Sequence, residues 1–149
     1  MPLVSVINGP NLNLLGVREP EIYGTTTLAE IDHSLVELGR ELGLDVECFQ
    51  SNHEGALIDR IQSCAGRADA VLLNAGGYTH TSVALRDAVA FLSIPVVEVH
   101  LSIPESREDF RQKSLLSSVV SGRVEGFRGL SYLLALRAAS ALIARRGEL

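Results

Sequence analysis

The spacing of apolar positions changes several times along the chain, and each change predicts an element. Leu3-Val-Ser-Val-Ile7 is a short apolar run and reads as a strand. From Thr27 to Leu42, the residues Leu28, Ile31, Leu35, Leu38 and Leu42 recur at steps of three and four, as on one face of a helix. Thr27-x-x-Glu30 opens that helix as a capping box and Gly43 closes it. Asp45 to Phe49 predicts a second strand. A second helix follows, with Leu57, Ile58, Ile61 and Cys64 inward and a stop near Gly66. Ala70-Val-Leu-Leu-Asn74 is continuously apolar, the mark of a strand covered on both faces. Ser82 or Thr81 caps a helix ending at Leu92, and Pro95 to Leu101 forms a fourth strand. A short helix is expected around Arg107 to Arg111, and a fifth strand within Val119 to Phe127. The last helix, Leu130 to Arg145, is expected to bury Leu130, Leu134, Ala138, Ala141 and Leu142.

Strands alternating with helices imply right-handed crossovers and a parallel sheet. The expected order is 2-1-3-4-5, a flavodoxin-like three-layer α/β sandwich, with residues 1–149 as a single domain. In such sheets ligands bind beyond the carboxyl ends of the strands where the winding reverses, here between the first and third strands. The segments that meet there are Asn8 to Gly24, Asn74 to Ser82 and the end of the fourth strand. They are the ones richest in Asn, His, Arg, Tyr and Glu.

The first of these carries the most information. Strand-to-helix connections usually take about 2–6 residues, and this one takes about sixteen. Leu12, Leu14, Leu15 and Ile22 do not suit a solvated linker, and Pro10 and Pro20 restrict its path. Arg18 and Tyr23 stand five apart on it. Tyr23 reads either as a packing residue or as a base that Arg18 keeps ionised. The second role needs a fall of about three units from an ordinary phenol, roughly 4 kcal/mol, and so a site that excludes water.

Glu98 and His100 alternate on one strand and leave the same face. They read either as a buried ion pair or as a histidine whose basicity the carboxylate raises until it can donate a proton. His80 follows Gly76-Gly77 and precedes a helix start, which suits either a turn or an anion contact. Arg107 and Arg111, four apart beside Glu108 and Asp109, form either a solvated surface or a bidentate grip on a carboxylate.

Composition narrows the function by exclusion. A net charge of −5 leaves no basic footprint for nucleic acid or an anionic membrane. No basic and apolar leader follows Met1-Pro2, and Arg137 interrupts the richest late apolar segment, so a cytoplasmic location is expected. Cys48 and Cys64 show no metal or redox spacing and read as buried small hydrophobes; His33 and His53 read as surface residues. Lys113 is the only lysine beside twelve arginines, and it sits in a polar run that gives a Schiff base no support. Neither a phosphate-binding glycine loop nor a metal motif is present, so no metal or cofactor is expected.

Several blocks together resemble type II 3-dehydroquinate dehydratase. They are Asn8-Gly-Pro-Asn-Leu-Asn-Leu-Leu-Gly-Val-Arg-Glu-Pro, Tyr23-Gly24, Gln50-Ser-Asn-His-Glu-Gly55, Tyr78-Thr-His-Thr-Ser82 with Arg86-Asp87-Ala88, and Glu98-Val-His-Leu-Ser102 with Arg107-Glu-x-Phe-Arg111. The resemblance covers nearly the whole chain. It implies a flavodoxin-like subunit, a dodecamer built from trimers, and cofactor-free trans elimination of water from 3-dehydroquinate to 3-dehydroshikimate. Carried onto these positions, it makes Tyr23 the base, Arg18 the group that stabilises its phenolate, and Asn11 a holder of the water that stabilises the enolate. His100, oriented by Glu98, becomes the general acid. Asn74, His80, Asp87 from a neighbouring subunit, the Leu101 and Ser102 amides and Arg111 become substrate-binding positions, with Arg107 on the lid. Ala75, Gly77 and Ile103 depart from the usual pattern, which bears on loop stiffness and on recognition of a carboxylate or ring hydroxyl. The rival reading is a flavodoxin-like module that binds a small anion without chemistry. A phospho-acceptor receiver would show acidic residues where Asn8-Gly9-Pro10 stand, and a redox flavoprotein would show a phosphate loop.

Overall fold

In the computed structural model, which describes residues 1–17, 21 and 25–146, five strands form one parallel sheet. They are β1 (Leu3–Asn8), β2 (Asp45–Gln50), β3 (Ala70–Asn74), β4 (Val96–His100) and β5 (Gly122–Glu125), in the order β2-β1-β3-β4-β5. The sequence-based order and alternation therefore hold. Every residue of β3 and β4 is buried, as the apolar run of β3 requires and in β4 with Glu98 and His100 included.

Four α-helices cover the sheet: α1 (Leu28–Leu42), α2 (Glu54–Ser63), α3 (Val83–Phe91) and α4 (Leu130–Ala144). Thr27 caps α1, its hydroxyl oxygen accepting the Glu30 N–H at 3.2 Å, and Gly43 ends it in a left-handed conformation. Of the two expected caps for α3, Ser82 is used; its Oγ accepts the Leu85 N–H at 3.0 Å. Alternation along the strands sorts the core into two clusters. Val4, Val6, Leu72, Val97 and Val99 pack with α1 and α4. Ile7, Val71, Leu73 and Val96 pack with α2 and α3 on the other face.

Three expectations need correction. The buried face of α4 is Ser131, Tyr132, Ala135, Leu136 and Ala139, whereas Leu130 is 53% and Leu134 37% exposed. Leu and Ala recur all round this helix, so its periodicity points to no single face. The helix expected at Arg107 to Arg111 is instead two single 3-10 turns, Pro104–Ser106 and Asp109–Arg111, with Glu108 in extended conformation between them. Ser106 donates its hydroxyl back to the Ile103 carbonyl at 2.7 Å, a local bond that competes with helix formation. Cys64 is buried as expected, but Cys48 is only half-buried.

Candidate active site

A cleft of about 100 Å³ lies beyond the carboxyl ends of β1, β3 and β4. Two glycines bring its walls together. A Cβ on Gly9 would stand 2.5 Å from the Ala75 carbonyl oxygen, and one on Gly76, at φ +58°, would stand 3.0 Å from that of Pro10. The loop after β1 and the loop after β3 thus touch at a spacing only glycine permits.

The β4 wall holds the Glu98–His100 pair. His100 Nε2 lies 2.6 Å from Glu98 Oε2, and Glu98 is wholly buried. Ser114 Oγ donates to the same oxygen at 2.8 Å and Ser117 Oγ donates to Oε1 at 2.8 Å. Burial alone would raise the Glu98 carboxyl, but the hydrogen bond and charge of His100, with the two serine hydroxyls, carry it below its ordinary value. With Nε2 directed at Glu98, the ring nitrogen left for a ligand is Nδ1. His100 lines the cleft, as do Leu101 and Ser102.

The opposite wall is uncharged. His80 Nδ1–H donates to the Lys113 carbonyl at 2.8 Å, which in the neutral ring leaves Nε2 as an acceptor. Burial, against the pull of that carbonyl and aided by the Arg111 charge, pushes the His80 imidazole below its ordinary value, so the neutral form is favoured. Asn74, also on the wall, accepts the Gly76 N–H on Oδ1 at 3.1 Å and donates Nδ2–H to the Tyr132 hydroxyl at 2.9 Å. That hydroxyl donates to Asn8 Oδ1 at 2.6 Å. Asn8 and Asn74 are register partners on β1 and β3, so a buried phenol from α4 ties two strand ends together.

Asn11 takes a left-handed conformation at φ 68° and lines the cleft. Its N–H donates to Asn52 Oδ1 at 3.0 Å, and Gln50 Nε2 donates both to that oxygen and to the Gly9 carbonyl, each at 3.1 Å. Arg107 and Arg111 close the cleft with side chains 10% and 16% exposed. Arg111 pairs with Glu108 and lies over the Phe110 ring, its guanidinium carbon 4.9 Å from the centroid. Both arginines face the cleft although no shared helix presents them.

The structure therefore brings Asn11, Asn74, His80, His100, Leu101, Ser102, Arg107 and Arg111 to one cleft, with Glu98 behind His100. Asp87 is not among them: it lies on α3, 65% exposed at its side chain, paired with Arg86 at 3.0 Å. Arg18 and Tyr23 lie outside the described residues. Gln50, Asn52, Ser114, Ser117 and Tyr132 were not singled out from the sequence as supports. The block Gln50-Ser-Asn-His-Glu-Gly55 carried a signal for the first two, whereas a tyrosine inside an apolar helix carried none. Ile103, one of the unusual positions, is 49% exposed, and Gly77 lines the cleft. Among the described residues no group of three or more His, Cys, Asp or Glu could hold a metal ion, and no helix is long and apolar enough to cross a membrane.

Known proteins fit this arrangement. A chain named 3-dehydroquinate dehydratase from Desulforudis audaxviator is 56% identical over 142 residues, covering 95% of each chain. One of the same name from Prochlorococcus marinus is 60% identical over 131 residues, covering 88% of each. The crystal structure of a type II dehydroquinase from Butyrivibrio crossotus superposes with a TM-score of 0.91 at 41% identity, covering 93% of this chain and 97% of that one. The pattern that defines the family "Dehydroquinase class II" matches residues 2–140, and the chain belongs to that family.

Proposed function

We propose that this protein is a type II 3-dehydroquinate dehydratase, a hydro-lyase that removes water from 3-dehydroquinate to give 3-dehydroshikimate through an enolate. Family membership supports the reaction. The structural observation that carries the proposed chemistry is the buried Glu98 carboxylate fixed on His100 in the wall of the cleft. Tyr23 removes the proton next to the ketone, and Arg18 stabilises the phenolate. Asn11 holds the water that stabilises the enolate, the preorganised-donor logic of an oxyanion hole. His100 gives a proton to the departing hydroxyl, and Glu98 offsets the charge on the ring.

Asn74 and His80 meet the ring hydroxyls. The Leu101 and Ser102 amides and the Arg111 guanidinium hold the carboxylate, with Arg107 over them. Asp87, on the outside of its own subunit, serves the site of a neighbour in a dodecamer of trimers. The reaction as written requires no metal, nucleotide or lysine. Its place is the cytoplasmic shikimate pathway to chorismate and the aromatic amino acids.

The test is incubation with 3-dehydroquinate while the absorbance of the conjugated enone is followed, repeated with Tyr23→Phe. Turnover is expected in the native protein and not in the variant, which should still bind substrate. Equal traces from both proteins would end the assignment of Tyr23. A flat trace from the native protein would favour the rival, a module that only binds a small anion.

A further inference from the structure

We propose that Ser114, Ser117 and Arg123 are positioning residues for the Glu98–His100 pair: they aim the Glu98 carboxylate and lower the pair's hold on its proton.

The geometry is closed on every side. Glu98 spends one oxygen on His100 and Ser114 and the other on Ser117. Ser117 Oγ in turn accepts from Arg123 Nη1 at 3.0 Å. Arg123 stands directly opposite Glu98 in the β4–β5 register, and Glu125 stands opposite His100. Cross-strand partners share a face of the sheet, so the guanidinium is built into the fold beside the carboxylate. Arg123 is itself fixed, donating to Glu125 at 2.6 Å and to Glu105 at 2.8 Å.

The stretch that carries the two serines also reaches the other cleft histidine. The Lys113 carbonyl accepts from His80, and the Leu115 N–H donates to the Thr79 carbonyl at 2.9 Å. Residues 113–117 therefore hold both the Glu98 carboxylate and the ring of His80.

The direction of the effect follows from counting protons on the pair. When the pair holds none, the carboxylate is bare in a buried site and depends most on its donors. When it holds one, imidazolium and carboxylate offset each other and the donors matter less. Every donor to Glu98 thus favours release, as does the nearby charge of Arg123, while burial favours retention. Among the described residues, the other charged or titratable groups around the pair are His80, Arg107 and Arg111 from the cleft, Glu105 from the 3-10 turn, Glu108 beside Arg111, and Glu125 on β5. None of them bonds directly to the Ser117 side chain; Glu105 and Glu125 meet it only through Arg123.

Ser114 also caps its own turn, accepting the Leu116 and Ser117 N–H groups at 3.1 and 3.2 Å, so its removal would mix support with folding. Ser117 is the cleaner probe, because it is an exposed residue whose hydroxyl alone reaches inward. The ring resonances of His100 are followed by NMR against pH in the ligand-free full chain. In Ser117→Ala and in Arg123→Gln the midpoint of the pair's titration should rise by roughly half a unit to one unit. Ser117→Thr restores a hydroxyl and should return it toward the native value. A midpoint that stays or falls in both Ser117→Ala and Arg123→Gln overturns the inference.

The kinetic arm rests on the dehydratase reading. The alkaline limb of kcat should move upward with the ring titration while KM stays within about twofold. A shifted titration beside an unmoved limb would leave the positioning role intact and overturn His100 as the acid, so the two failures are distinguishable.

Discussion

Two polar clusters are buried at the carboxyl ends of the strands, on opposite faces of the same sheet. On the α2/α3 face, Glu98 and His100 form an ionisable pair surrounded by hydroxyls and a guanidinium. On the α1/α4 face, Asn8, Tyr132 and Asn74 form a chain without formal charge. The contrast separates two requirements of such a site. A group that moves a proton must change charge during the reaction, so it needs neighbours that tolerate both states. A group that fixes the shape of a wall is better uncharged, because a neutral hydrogen bond in a dry interior holds direction without the cost of burying an ion.

The strongest way to break this comparison is to remove the ionisable member that faces the cleft. In His100→Ala, kcat for 3-dehydroquinate should fall by about 10²–10⁴-fold, the usual weight of a general acid, with little change in KM. Steady-state enone absorbance measures both constants. A variant that loses KM rather than kcat would place His100 with the binding groups and erase the distinction.

The neutral chain should fail differently. Tyr132→Phe keeps the ring in the core but leaves Asn8 Oδ1 and Asn74 Nδ2 without their shared partner. Leaving buried polar groups unpaired costs about 1–3 kcal/mol, measurable by denaturant unfolding. Asn74 then loses its fixed rotamer and the Gly76 amide its anchor, so KM should rise more than kcat falls. A fall in kcat as deep as that of His100→Ala would show that the neutral chain takes part in the proton transfer after all.

The charged cluster was largely legible in the sequence, and the neutral one was not. Glu98 and His100 betray themselves because two ionisable residues at alternate positions of an apolar strand demand a partner, and strand periodicity places them on one face. The parallel sheet was legible from the alternation of strands with helices, and the apolar run of β3 marked it as a strand covered on both faces. Tyr132 sits in a helix apolar on all sides, where neither period nor polarity marks an inner face; the same ambiguity turned the expected burial of α4 the wrong way. Ser114 and Ser117 were hidden for another reason. Serines in a loop are common, and only tertiary folding shows that these two point at a carboxylate sixteen and nineteen residues away. The arginines at 107 and 111 were expected on one helix and instead reach the same cleft from the end of one 3-10 turn and from the next, so their meeting at the strand ends was readable where their local structure was not.

The smallest effect, and the sharpest for the comparison, lies in the pH dependence of stability. The Glu98 carboxyl titrates below its ordinary value of 4.5 in the fold. The stability it contributes is present above that value and is lost as pH falls through the folded one. His80, held below its ordinary 6.5, favours its neutral form in the fold, so its contribution is also lost toward acid. Tyr132 behaves oppositely. Burial raises its phenol above 10.0, so its contribution is present below that value and disappears as the solution becomes more alkaline. Cys48 acts in the same direction, its thiol pushed up from 9.0 to about 12 by burial and by the charge of Asp32. Melting temperature measured across pH should therefore fall on both flanks, with Glu98 contributing to the acid one together with other lowered carboxyls such as Glu47 and Asp69, and Tyr132 to the alkaline one. Glu98→Gln should make the acid flank shallower and leave the alkaline one, and Tyr132→Phe should do the reverse. If either variant instead flattens both flanks, the two clusters are electrostatically coupled through the sheet and are better described as one.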